Sequence, residues 1–76
     1  MELKLIVAEN CPACVRAETS IRKIACNYAN VFMSVVDASE FTGMPISIVP
    51  ALLIDDVLFS YGDVDEEKVS AIAASR

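Results

Sequence analysis

The sequence predicts an α/β domain built on a four-stranded mixed sheet flanked by helices, and three observations carry that expectation. An apolar run, Leu3–Ala8, gives way to helical periodicity and then to a second apolar run, Val31–Val36. Two further apolar segments, Ala51–Ile54 and Val57–Tyr61, are separated only by Asp55-Asp56. A strand, a helix of about fifteen residues and a strand form a right-handed crossover, which makes the outer two parallel. A two-residue connection makes the later pair an antiparallel hairpin.

Leu3–Ala8 is apolar apart from Lys4, as in a strand covered on both faces. Pro12 stands at the first helical position, where its missing N–H is no loss and its fixed φ is already helical. Cys14, Ala17, Ile21, Ile24, Ala25 and Tyr28 then recur at three- and four-residue steps, with Arg16, Ser20, Lys23 and Asn27 on the other side. Asn27 and Asn30 are stop signals. Between residues 38 and 48, Ser39 is placed to cap a short helix, which Gly43 and Pro45 limit to one or two turns. Gly62 ends the fourth strand. Asp63 with Glu66 forms a capping-box pattern that opens a last helix with Val69, Ile72 and Ala73 facing inward.

Composition narrows the function classes. Seventy-six residues form one domain, 1–76, and 55% of them are hydrophobic, which argues for a packed core and against disorder. A formal net charge of −5 disfavours nucleic acid and anionic membrane surfaces as partners. No apolar run is long enough to span a bilayer. The opening residues lack a basic stretch followed by a long apolar one, so no signal peptide is expected. Three cysteines are an odd count for a disulfide scaffold, and a reducing, cytoplasmic setting is expected.

The chemistry gathers at Cys11-Pro12-Ala13-Cys14, where the first strand ends and the helix begins. A sulfur at a helix N-terminus meets unpaired backbone N–H groups and the positive end of the helix dipole, and both favour the thiolate. The thiolate is the form that attacks disulfides and leaves them. Cys14, one turn on, is within bonding reach. The residues therefore propose a redox pair; two inert buried cysteines, or half of a metal site shared by two copies, are the alternatives. The chain has no histidine to complete a metal site. Cys26 is expected to be a small, half-buried hydrophobe at the edge of the apolar face, with a regulatory or dimerising thiol as the sharper reading.

The Cys-x-x-Cys after the first strand, Val49-Pro50 before the third and Gly62 before the last helix together resemble the thioredoxin fold in its shortest form. This is also the architecture of glutaredoxins. The resemblance covers essentially the whole chain. It implies a thiol–disulfide oxidoreductase, an electron donor with Cys11 as nucleophile and Cys14 as resolving thiol. It implies that Pro50 is a cis-proline facing the disulfide, that the Val49 backbone pairs with an extended substrate, and that Pro12, Ala13, Tyr61 and Gly62 complete the active site. Implied partners are disulfide-containing proteins, with thioredoxin reductase or glutathione as reductant. No resident cofactor or metal is expected, and the chain is expected to be a monomer.

Departures separate the branches. Leu5 and Met33 stand where thioredoxins carry a buried acid and a lysine, and Asn10 where they carry tryptophan. Glutaredoxins place a basic residue just before the nucleophile, but Glu9 and Asn10 precede Cys11, and Ile48 replaces the threonine of their Thr-Val-Pro turn. A glutathione-dependent glutaredoxin is the alternative within the class. A metal- or partner-binding module on the same fold is the alternative outside it.

Overall fold

Strand β1 (Glu2–Val7) is the centre from which the fold is built in the computed structural model, which describes all residues from Met1 to Arg76. Helix α1 (Pro12–Asn27) returns the chain to β2 (Phe32–Asp37), which pairs with β1 in parallel from Glu2–Phe32 to Val7–Asp37. Strand β3 (Ala51–Ile54) lies on the other side of β1, antiparallel, and β4 (Val57–Tyr61) closes the hairpin. Helix α2 (Glu66–Ala74) is last, and the sheet order is β2-β1-β3-β4. The mixed four-stranded sheet with one parallel pair is the architecture expected from the sequence.

Alternation along the strands divides the core in two. Leu3, Leu5, Leu52 and Ile54 point to one face and pack against Ala17, Ile21 and Ile24 of α1 and Val69 and Ala73 of α2. Ile6, Ala51 and Leu53 point to the other. Both helices therefore lie on a single face. The second face is covered by irregular chain, with Phe41, Met44, Ile46 and Val49 packed on it. The short helix expected to open at Ser39 does not form: residues 38–40 make a turn. The Asp37 carboxylate accepts from the Ser39 N–H at 2.9 Å and from its hydroxyl at 2.7 Å, so Ser39 is capped rather than capping. These two bonds hold the Asp37 carboxyl below its ordinary range, the backbone bond foremost. Lys4 lies 5.9 Å from the Phe41 ring centre and tethers this segment to the sheet.

The hairpin turn places Asp55 at φ 49° and Asp56 at φ 66°, the two left-handed positions that a tight two-residue connection of matching twist requires. The Glu2 N–H donates to the Asp55 carboxylate at 2.9 Å, and the Asp55 N–H donates to the Glu2 carbonyl at 2.9 Å. Arg76 also pairs with Asp55. The turn is thus stapled to the start of β1 and to the chain's last residue.

Two further details differ from the sequence reading. The last helix is capped by Asp65, whose carboxylate accepts the Lys68 N–H at 3.1 Å. Asp63 is drawn away to Arg16, at 3.0 Å. Cys26 is exposed rather than half-buried, because it lies on the side of α1 that faces away from the sheet.

Leu5 is fully buried at the junction of β1, α1 and β3. Leu5→Ala is expected to lower stability by about 2–5 kcal/mol, a large share of the roughly 5–15 kcal/mol typical of a domain; urea unfolding measures it. The Asp55 carboxyl sits below its ordinary range, first because of the Glu2 N–H, which together with the Arg76 guanidinium outweighs the opposing desolvation. A depressed native pKa stabilises the fold above the unfolded value and loses that contribution as pH falls through the native one. The stability gap between wild type and Asp55→Asn should therefore be present at about pH 7 and close below about pH 4. An unchanged gap in acid would contradict the assignment.

Candidate redox site

Three connections converge at one end of the sheet: the loop from β1 to α1, the segment before β3, and the turn after β4. Parallel pairing of β1 with β2, and two antiparallel steps from β1 to β4, fix this convergence. Asn10, at φ 54°, turns the chain from the end of β1 into α1. Cys11 follows as the N-cap residue, in extended conformation, with Pro12 as the first helical residue.

The helix is capped by sulfur. Cys11 Sγ accepts the Cys14 N–H at 3.1 Å, the position that a serine or aspartate oxygen usually takes. The Cys11 carbonyl also accepts the Cys14 and Val15 N–H groups at 3.0 and 3.2 Å. No acidic side chain occupies the first turn to oppose a negative sulfur. Cys11 and Cys14 are joined as a disulfide, their Cα atoms 5.2 Å apart. That spacing lies in the ordinary range for a bridge. Cys11 is partly exposed and Cys14 is only 4% exposed. An incoming molecule therefore meets Cys11 first.

The other residues singled out from the sequence fall into two groups. Pro12 is exposed and Ala13 partly so, both in the first turn beside Cys11. Val49, Pro50, Tyr61 and Gly62 gather where β3 begins and β4 ends. The Val49–Pro50 peptide is cis, and Pro50 is buried. The Pro50 carbonyl accepts the Gly62 N–H at 2.8 Å, while no hydrogen bond within the chain engages the Val49 N–H or carbonyl. Gly62 has φ +78°, and an added Cβ would meet nothing within 4 Å. Glycine there answers to backbone conformation, not to crowding. Tyr61 and Ile48 are large apolar side chains left partly in solvent.

The largest concavity, of about 520 Å³, lies along α1 and contains both cysteines and Pro12. Val7, Ala8 and Val15 supply its apolar surface; Asn10 and Glu18 supply polar groups. The sequence reading did not assign these five to the site. Val15 carried the one available signal, an apolar residue outside the inward-facing stripe of α1, and it is 67% exposed.

Ion pairs tie the helix that carries the cysteines to the rest. Arg16 pairs with Asp63 at 3.0 Å, in the turn after Gly62, and Lys23 pairs with Glu66 of α2 at 3.2 Å. The Ser20 hydroxyl, followed by Lys23, holds the Glu66 carboxyl below its ordinary range. No three His, Cys, Asp or Glu side chains are grouped to hold a metal ion, and no helix is long and apolar enough to cross a membrane.

A family model described as a thioredoxin domain matches residues 1–73. No curated protein matches the chain.

Proposed function

We propose that this chain, which belongs to the thioredoxin-domain family, is a thiol–disulfide oxidoreductase whose Cys11–Cys14 pair reduces disulfides in proteins. The observation that carries this reading is the capping of α1 by Cys11 Sγ at 3.1 Å from the Cys14 N–H, with the second sulfur shielded one turn behind.

The Cys11 sulfur, which in the bridged structure accepts the Cys14 N–H, sits at the positive end of a sixteen-residue helix. Both stabilise the thiolate. Attack on a substrate disulfide breaks its S–S bond, forms a mixed disulfide with Cys11 and expels the first substrate sulfur as a thiolate, which takes a proton. Cys14 then gives up its proton and attacks Cys11 Sγ. The mixed disulfide breaks, the second substrate thiolate leaves and is protonated, and the Cys11–Cys14 bridge closes. Two electrons pass from protein to substrate. The unengaged Val49 N–H and carbonyl, beside Pro50, are free to pair with an extended substrate backbone, and Ile48 and Tyr61 offer apolar contact.

The bridge must be reopened by a reductant. Glutathione carries carboxylates, and the groove along α1 contains no lysine or arginine to receive them. A protein reductant of the thioredoxin reductase kind fits better. A reducing compartment such as the cytoplasm suits the exposed, unpaired thiol of Cys26.

Cys11→Ser is expected to reduce turnover of a protein disulfide such as insulin to the uncatalysed rate. Cys14→Ser should retain attack and accumulate a mixed disulfide on Cys11, detectable by mass spectrometry. Turnover without Cys11, or no captured substrate with Cys14→Ser, would contradict the roles.

A further inference from the structure

Strand β2 ends the sheet on one side and pairs only with β1. The Phe32 N–H donates to the Met1 carbonyl at 2.9 Å, and the Ala38 N–H to the Val7 carbonyl at 2.8 Å. Backbone groups alternate in direction along a strand, so the even-numbered residues of β2 turn theirs toward β1. The N–H groups and carbonyls of Met33, Val35 and Asp37 therefore point outward, away from the sheet. The usual guards of an open edge are missing: β2 has no proline, no lysine and an unbroken register with β1, and its one charge is Asp37 at the end. The opposite edge, β4, is interrupted by the shift in pairing between Leu52 and Leu53. Apolar side chains flank the β2 edge. Val35 is 40% exposed beside fully buried Leu5, and Phe32 is 68% exposed on the other face. Phe32 pairs with Glu2, at the start of β1 and far from Cys11, so docking at the redox site does not account for it.

We propose that two copies of this chain associate by antiparallel pairing of their β2 strands about Val35, in place of the monomer expected from the sequence. The strand is its own complement in that register. Each Val35 N–H donates to the Val35 carbonyl of the other copy, and each Asp37 N–H to the other copy's Met33 carbonyl. The Asp37 carbonyl already accepts the Glu40 N–H at 2.9 Å, and its second lone pair receives the Met33 N–H. Val35 is the middle of the three outward-facing residues, so this register engages all of them. Phe32 of one copy comes opposite Ala38 of the other. Asp37 falls opposite Met33, so no carboxylate on the strand faces its twin. Because the strands run antiparallel, the two Cys11 sites lie at opposite ends of the joined sheet, and the pairing is independent of the redox chemistry. Two six-residue strands bury less than the about 1,000 Å² of a stable interface, which makes the association weak and concentration-dependent.

Sedimentation equilibrium of the oxidised chain tests this, with Cys26 alkylated so that no disulfide can join two copies. The mass should climb from monomer toward dimer over a range on the order of 10 μM to 1 mM. Val35→Pro removes the outward N–H at the centre of the seam and no bond to β1. Val35→Lys sets two ammonium groups against each other across the symmetry axis. Each should weaken association at least about tenfold, and mixing Val35→Lys with Val35→Glu should restore it. Hydrogen exchange at the Val35 and Asp37 amides of the unaltered chain should slow as concentration rises. That measurement needs no variant, so it decides the matter if a substituted strand fails to fold. A mass that stays monomeric throughout, a dimer that survives both Val35→Pro and Val35→Lys, or exchange at Val35 that ignores concentration would overturn the proposal.

Discussion

Cys11 is at once the residue whose sulfur caps α1 and the partly exposed cysteine of the pair, and much of the structure can be understood as holding that coincidence in place. A helix start leaves backbone N–H groups without partners. Here one of them is satisfied by sulfur, at 3.1 Å, rather than by the oxygen of a serine or aspartate. Pro12 removes another unpaired donor simply by lacking an N–H. The electrostatic setting of the sulfur therefore comes from backbone geometry, with no charged side chain in the first turn. The fixed requirement is that α1 begin where β1 ends, with its first turn at the surface and its remaining turns anchored.

The anchoring is apolar first and ionic second. Cys14, Ala17, Ile21 and Ile24 form one buried stripe of α1, and the last three pack with Leu3, Leu5, Leu52 and Ile54. Burial of such side chains is worth about 1.5–3 kcal/mol each, far more than exposed ion pairs. The Arg16–Asp63 and Lys23–Glu66 pairs accordingly serve position more than stability. They orient the turn after β4 and the start of α2 against the helix that carries the cysteines. With both helices on one face, the other is sealed by the 38–49 segment, which also delivers Val49 and Pro50 to the sheet end where Cys11 sits.

What could be read in the sequence was what short-range pattern determines. The apolar run of β1, the three-and-four spacing of α1 and the Asp55-Asp56 hairpin are local signals, and the cysteine pair at an element boundary is another. What could not be read depended on partners distant in sequence or on competing neighbours. Asp63 and Asp65 are both competent caps; Arg16, forty-seven residues away, takes the first and leaves the second. Ser39 is a good cap by type, but Asp37 two residues earlier captures its N–H and hydroxyl. Cys26 lay near the edge of the apolar stripe, and only the docking of α1 decided that it would be exposed. The groove was hidden for the same reason: Val7 and Ala8 from the end of β1 meet Val15 and Glu18 from α1 only in the folded chain.

The central claim is electrostatic, that the start of α1 stabilises negative charge on one sulfur. The direct measurement is the rate of alkylation of Cys11 against pH in the fully reduced protein, followed on the Cys11 peptide. The account predicts a midpoint below the value of about 8.5 for a free cysteine. A midpoint at or above that value would contradict it.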